Sequence, residues 1–95
     1  MDNNQNTIET LQALLQDRLA NPKEGSYTNR LLSDEEELVK KVGEESVEVI
    51  LAALKQGKER LVSETADLIY HVLVLLVANG VTWEEVQAEL DKRRS

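Results

Sequence analysis

The chain contains no cysteine and no phenylalanine, one proline and one histidine. Without cysteine there can be no disulfide, thiolate metal site or thiol nucleophile. That fits a reducing cytoplasm. Aromatic residues are limited to Tyr27, Tyr70 and Trp83, too few for a stacking platform on single-stranded nucleic acid. Basic charge is also short: 11 Lys and Arg stand against 18 Asp and Glu, a formal net charge of −7. This argues against broad binding to nucleic-acid backbones, while leaving room for a local basic pocket for phosphates. The longest apolar run, Val72 to Ala78, is too short to span a bilayer. Met1 to Asn6 carry no basic-then-apolar leader. A chain of 95 residues is expected to form one domain, residues 1–95, with 1–6 and 94–95 frayed. Its core is modest, so pairing with a second copy is expected.

What the chain does have is helical patterning. Ile8, Leu11, Leu15 and Leu19, with Leu14 beside them, predict a helix from Thr7 to about Ala20, capped by Asn6 with Glu9 three residues on. Asn21-Pro22 ends it. Residues 21–32 read as the least regular part, rich in turn residues but also in hydroxyls and cations. Such a loop can fold over an anion, or simply connect helices. Ser33-Asp34-Glu35-Glu36 reads as a capping box with Ser33 as N-cap, opening a helix to about Lys55. Gln56-Gly57 closes it, with Gly57 free to take positive φ. A second long helix spans about Lys58 to Asn79, stopped by Gly80. A short one begins at Thr82, boxed with Glu85, and ends in Lys92-Arg93-Arg94. Strand-like alternation is unconvincing throughout. The fold class is therefore all-α: an antiparallel helical hairpin with flanking helices. Each long helix is apolar on more than one side, so the bundle is expected to be completed in a homodimer.

The chemistry-bearing stretches are Lys40-Lys41-Val42-Gly43-Glu44-Glu45-Ser46-Val47-Glu48 and Glu64-Thr65-Ala66-Asp67-Leu68-Ile69-Tyr70-His71. At ~100° per residue, Lys41, Glu44, Glu45 and Glu48 share an arc of roughly 100°. Arg60, Glu64, Asp67, Leu68 and His71 form a comparable stripe. Packed together, these carboxylates are the hard oxygen donors that Mg²⁺ or Mn²⁺ prefers. The plain alternative for Glu44, Glu45 and Glu48 is a solvated face salt-bridged to Lys40 and Lys41. Asp67 is harder to dismiss, because an apolar stretch follows it immediately. His71 reads more readily as a core histidine satisfied by a neighbouring acid than as a catalytic base, and Tyr70 as core or phosphate donor. Lys40 and Lys41 either neutralise the acids or grip a phosphate. There is no Gly-rich phosphate loop, Rossmann fingerprint or serine–histidine–acid pattern. A carboxylate-held Mg²⁺ suits hydrolysis of a phosphoanhydride, with Glu44, Glu45 or Glu48 orienting the water.

Glu44-Glu45-x-x-Glu48 followed by Glu64-x-x-Asp67 resembles the metal signature of the all-α nucleoside triphosphate pyrophosphohydrolases, the MazG-like superfamily. The flanks Gly25-Ser26-Tyr27-Thr28, Lys40-Lys41-Val42-Gly43 and Ala66-Asp67-Leu68-Ile69-Tyr70-His71 resemble its phosphoribosyl-ATP pyrophosphatase family. The resemblance implies hydrolysis of phosphoribosyl-ATP to phosphoribosyl-AMP and pyrophosphate, the second step of histidine biosynthesis. It implies Mg²⁺ (with Mn²⁺ as a substitute), a cytoplasmic homodimer, and no nucleic-acid or membrane partner. It implies metal ligation by Glu45, Glu48, Glu64 and Asp67, and a catalytic part for Glu44, Glu45 and Glu48. Substrate contacts would come from Ser26, Tyr27, Thr28, Arg30, Lys41, Tyr70 and His71. Ser46 and Thr65 depart mildly from the family, which often has alanine there. The chain is expected to be the stand-alone form of the domain. Two other readings share these features: a house-cleaning pyrophosphohydrolase of the dUTP or dCTP type, and a non-catalytic acidic interaction module.

Overall fold

The computed structural model describes residues 6–94, and among these residues every regular element is helical. Helix α1 runs Thr7–Ala20, α2 Tyr27–Leu32, α3 Glu35–Leu51, α4 Lys58–Ala78 and α5 Trp83–Arg93, with a π-helical turn at Ala52–Gln56. Of the ends expected to fray, residues 1–5 and 95 lie outside the described residues. Asn6 is engaged as the N-cap of α1, accepting from the N–H groups of Ile8 and Glu9. The Arg94 N–H donates to the Asp91 carbonyl.

The loop expected over residues 21–32 contains a helix. Ser26 is the N-cap of α2 and its hydroxyl accepts from the Asn29 N–H. The helix is only 6 residues long, too short to show a hydrophobic period, and it is anchored by the fully buried Leu31. Its presence moves the next cap by one residue. Ser33 ends α2 in helical geometry and spends its hydroxyl on the Arg30 carbonyl. Asp34, in extended geometry, caps α3 instead by accepting from the Glu37 N–H. The far end of α3 also differs from a plain α-helix to Lys55. The backbone widens into the π turn after Leu51, which buries Ala52 and leaves Leu54 exposed. Gly57 follows with φ +89°, a value that favours glycine.

The two helices flanking Gly57 lie against each other along much of their length, and α1 and α2 pack on the same central helix, α4. The core is Leu15, Leu31, Leu38, Leu73, Val74 and Val77, edged by Ile8, Leu11, Ile69, Tyr70 and Trp83. Leu14 and Leu19, placed by periodicity beside Leu15, stay exposed. Helix α4 ends in a Schellman motif: Val81 N–H donates to Leu76 O and Gly80 N–H to Val77 O. Thr82 and Glu85 then form the expected capping box. Helix α5 is tied to α1 by Gln12, which accepts from the Trp83 N–H at 2.6 Å and donates to Glu84 at 2.9 Å.

Among the described residues α4 is also the one helix with the length and hydropathy of a membrane span, with a mean hydropathy of 1.7. It carries buried Glu64 and His71 and supplies Leu73, Val74 and Val77 to the core. A buried helix at the centre of a packed bundle has the same composition. The helix exceeds the Val72 to Ala78 run because it continues back through Asp67 and Glu64 to Lys58.

Candidate functional site

The acids of α3 and α4 do meet. Glu45, Glu64 and Asp67 each offer a carboxylate oxygen, all within 4.8 Å of one another. Glu64 and Asp67 are three residues apart, so they share a face of α4. Glu45 faces them from α3. Glu64 is buried, Glu45 half-buried and Asp67 exposed. The burial of Glu64 is compensated by Arg60, one turn earlier, whose guanidinium donates to its carboxylate. An all-oxygen set of this kind fits a hard divalent cation. Glu48 is half-buried on the same helix as Glu45 and falls outside this group of three. Glu44 is exposed and pairs with Lys41 at 3.7 Å.

The remaining candidates gather where α2 crosses α4. The Tyr27 hydroxyl lies 3.0 Å from His71 Nε2, and the Thr28 hydroxyl 2.6 Å from that of Tyr70. His71 Nδ1 sits 2.7 Å from the backbone carbonyl of Asp67. A carbonyl only accepts, so Nδ1 carries a proton, and in the neutral ring Nε2 accepts from Tyr27. The partners of this core histidine are therefore a backbone carbonyl and a tyrosine, where a neighbouring acid was expected. Burial raises the Tyr27 pKa above the ordinary tyrosine value, with Lys41 pulling the other way and Tyr70 adding to the rise. Tyr27 thus remains an O–H donor at neutral pH. Arg30 lies 5.3 Å over the Tyr27 ring and pairs with Glu37 at 3.2 Å.

Ser26, Tyr27 and Arg30, with Lys23, Gly25, Asn29 and Ser33, line an open groove of about 780 Å³. Glu45, Glu64 and Asp67 lie outside its lining. Tyr27 links the two regions: it lines the groove and bonds His71, whose ring is anchored on the Asp67 backbone.

Two residues matter more than their sequence context suggested. Asn29, within the stretch 21–32 that reads as irregular, clamps the loop from three sides. It accepts from Lys23 N–H at 2.6 Å, donates to the Arg18 carbonyl at 2.8 Å and gives its own N–H to Ser26. The spacing Ser26-x-x-Asn29 was the available signal. Arg60 stood in the α4 stripe without a role. Its spacing of four from Glu64 marks a pair, but only the fold shows that Glu64 is buried.

An all-helical chain that pools acids from two helices is consistent with the all-α nucleoside triphosphate pyrophosphohydrolase class. Within that class, the chain belongs to the phosphoribosyl-ATP pyrophosphohydrolase family, whose family model matches residues 8–94. It is similar to the phosphoribosyl-ATP pyrophosphatase of Sulfurisphaera tokodaii, 49% identical over 93% of this chain and 95% of the relative. The enzyme of the same name from Lactiplantibacillus plantarum is 52% identical over 90% of this chain and 82% of its own. That from Metallosphaera sedula is 51% identical over 90% and 94%. Membership makes the chain a hydrolase.

Proposed function

We propose that the protein hydrolyses phosphoribosyl-ATP to phosphoribosyl-AMP and pyrophosphate, as the second step of histidine biosynthesis in the cytoplasm. The observation that carries this reading is the family match across residues 8–94. The carboxylate trio supports the chemistry.

Residues 1–95 act as one catalytic domain. Its α3–α4 pair is an antiparallel hairpin, completed as a bundle in a homodimer. Glu45, Glu64 and Asp67 would hold Mg²⁺, with Glu48 joining from the next turn of α3. When bound, the ion supplies Lewis-acid neutralisation of the polyphosphate charge. The chain's own residues do the rest. Ser26, Tyr27, Thr28 and Arg30 receive the substrate along the groove, and Lys41 faces its phosphates. Tyr70 and His71 hold α2 at its distance from Asp67. Water adds across the α–β phosphoanhydride, and its proton passes to Glu48 or Glu44. Pyrophosphate departs and phosphoribosyl-AMP stays behind.

The test is to incubate the purified protein with phosphoribosyl-ATP and a panel of nucleotides, including dUTP and dCTP, with and without Mg²⁺. Pyrophosphate release is expected from phosphoribosyl-ATP, only with the ion. Faster turnover of dUTP would transfer the protein to the house-cleaning type. Asp67→Asn is expected to keep the fold and lose turnover by about 100-fold or more, the scale of losing a metal-site partner. Full activity in that variant would remove Asp67 from the ligand set.

A further inference from the structure

We propose that Arg60 is the built-in counter-ion of the carboxylate cluster and competes with the divalent cation for Glu64, so that it sets the cation's affinity. The proposal rests on the metal-binding reading above.

Its basis is an asymmetry of exposure. The Glu64 side chain is only 9% exposed, whereas that of Arg60 is 54% exposed. A carboxylate withdrawn from water needs a positive partner. Among the described residues Arg60 is the ion-pair partner of the trio, for no pair reaches Glu45 or Asp67 within 4 Å. The nearby ammonium of Lys41 is engaged with Glu44 instead. Arg60 therefore does for Glu64 what a metal ion would do. Both claim the same carboxylate, and two cations held against it repel each other.

The exchange is easy from the arginine's side. Its side chain is half in water, so leaving Glu64 returns the guanidinium to hydration on a flexible stem. The helix adds little to hold the pair: an acid placed four residues after its base is the weaker orientation on a helix. Arg60 thus partners the buried Glu64 carboxylate without metal, and is held loosely enough to yield to a divalent ion.

The experiment is calorimetric titration of MgCl₂ into the full chain, for the wild type, Arg60→Gln, Arg60→Lys and Asp67→Asn. Arg60→Gln is expected to bind Mg²⁺ at least about 5-fold more tightly, the low end of coupling between competing sites. Arg60→Lys, which keeps the charge but loses the planar fork, is expected to fall between it and the wild type. Without Mg²⁺, Arg60→Gln should melt at a lower temperature than the wild type, and saturating Mg²⁺ should close the gap. Equal or weaker Mg²⁺ affinity in both Arg60 variants would overturn the proposal. If they are unchanged while Asp67→Asn loses binding, the metal reading stands and only the role of Arg60 falls. If the wild type binds no Mg²⁺, or Asp67→Asn binds it equally well, the metal reading falls and takes this proposal with it.

Discussion

Two side chains that look alike in sequence, Glu64 and Asp67, live in different media: the first is buried, the second exposed. A similar contrast separates His71, 7% exposed, from Tyr27, which is 41% exposed but turns its hydroxyl inward onto the ring. Tyr27→Phe removes the only donor described for His71 Nε2. A buried acceptor left without a partner costs about 1–3 kcal/mol, so this variant is expected to lose that much stability in urea unfolding. It is also expected to raise KM more than it lowers kcat, because α2 then keeps only the Thr28–Tyr70 hydrogen bond of its two side-chain hydrogen bonds to α4. Unchanged stability would mean that the bond contributes nothing. The acidic stripes were legible residue by residue, because helical spacing alone decides which side chains share a face. Burial was not. Nothing adjacent to Glu64 announces that it turns inward.

At the level of elements, the ends of helices carry most of the local information. Asn6 and Thr82 cap as their spacing foretells, since the side chain and the N–H it satisfies are neighbours in sequence. Ser33 does not, because the unforeseen α2 claims it first. The joint between α1 and α5 depends on Gln12, 6% exposed and bonded to both Trp83 and Glu84. Gln12→Ala is expected to cost about 1–3 kcal/mol by leaving the start of α5 unpartnered, measured by thermal unfolding. The hydrogen bond from Gln12 is also the first cause of a lowered Glu84 pKa. A carboxyl more acidic in the folded chain contributes stability above its unfolded pKa, and that contribution disappears as pH falls through the folded value. NMR titration should therefore find the Glu84 pKa lowered in the wild type and moved back toward the ordinary glutamate value in Gln12→Ala, where only the backbone hydrogen bond still lowers it.

Across the whole molecule the conspicuous feature is apolar surface left open. Val39, Val47, Ile50, Leu51, Leu54 and Val62, on α3, the π turn and the start of α4, are 39–72% exposed. The radius of gyration is 14.7 Å, above the roughly 12–13 Å of a compact chain this long. Covering a leucine or isoleucine stabilises by about 1.5–3 kcal/mol, so a second copy seated on this face has ample driving force. Light scattering after gel filtration is expected to give twice the chain mass for the wild type and the single mass for Ile50→Glu with Leu54→Glu. A monomeric wild type at tens of micromolar would discard the proposed homodimer.

Helical class, the acid-bearing faces and most caps follow from residues three or four apart, whose mutual geometry the helix dictates wherever it happens to lie. Distances between helices obey no such rule. The packing of Leu31, Leu38, Leu73 and Val74 sets how α2, α3 and α4 sit against one another. That placement puts Glu45, and leaves Glu48 and Glu44 outside, within 4.8 Å of Glu64 and Asp67. It also sets Tyr27 against His71 and Thr28 against Tyr70 across more than 40 residues of chain. These contacts come from close-packed side chains locking rotation and height between helices, a balance that no short stretch of the chain contains.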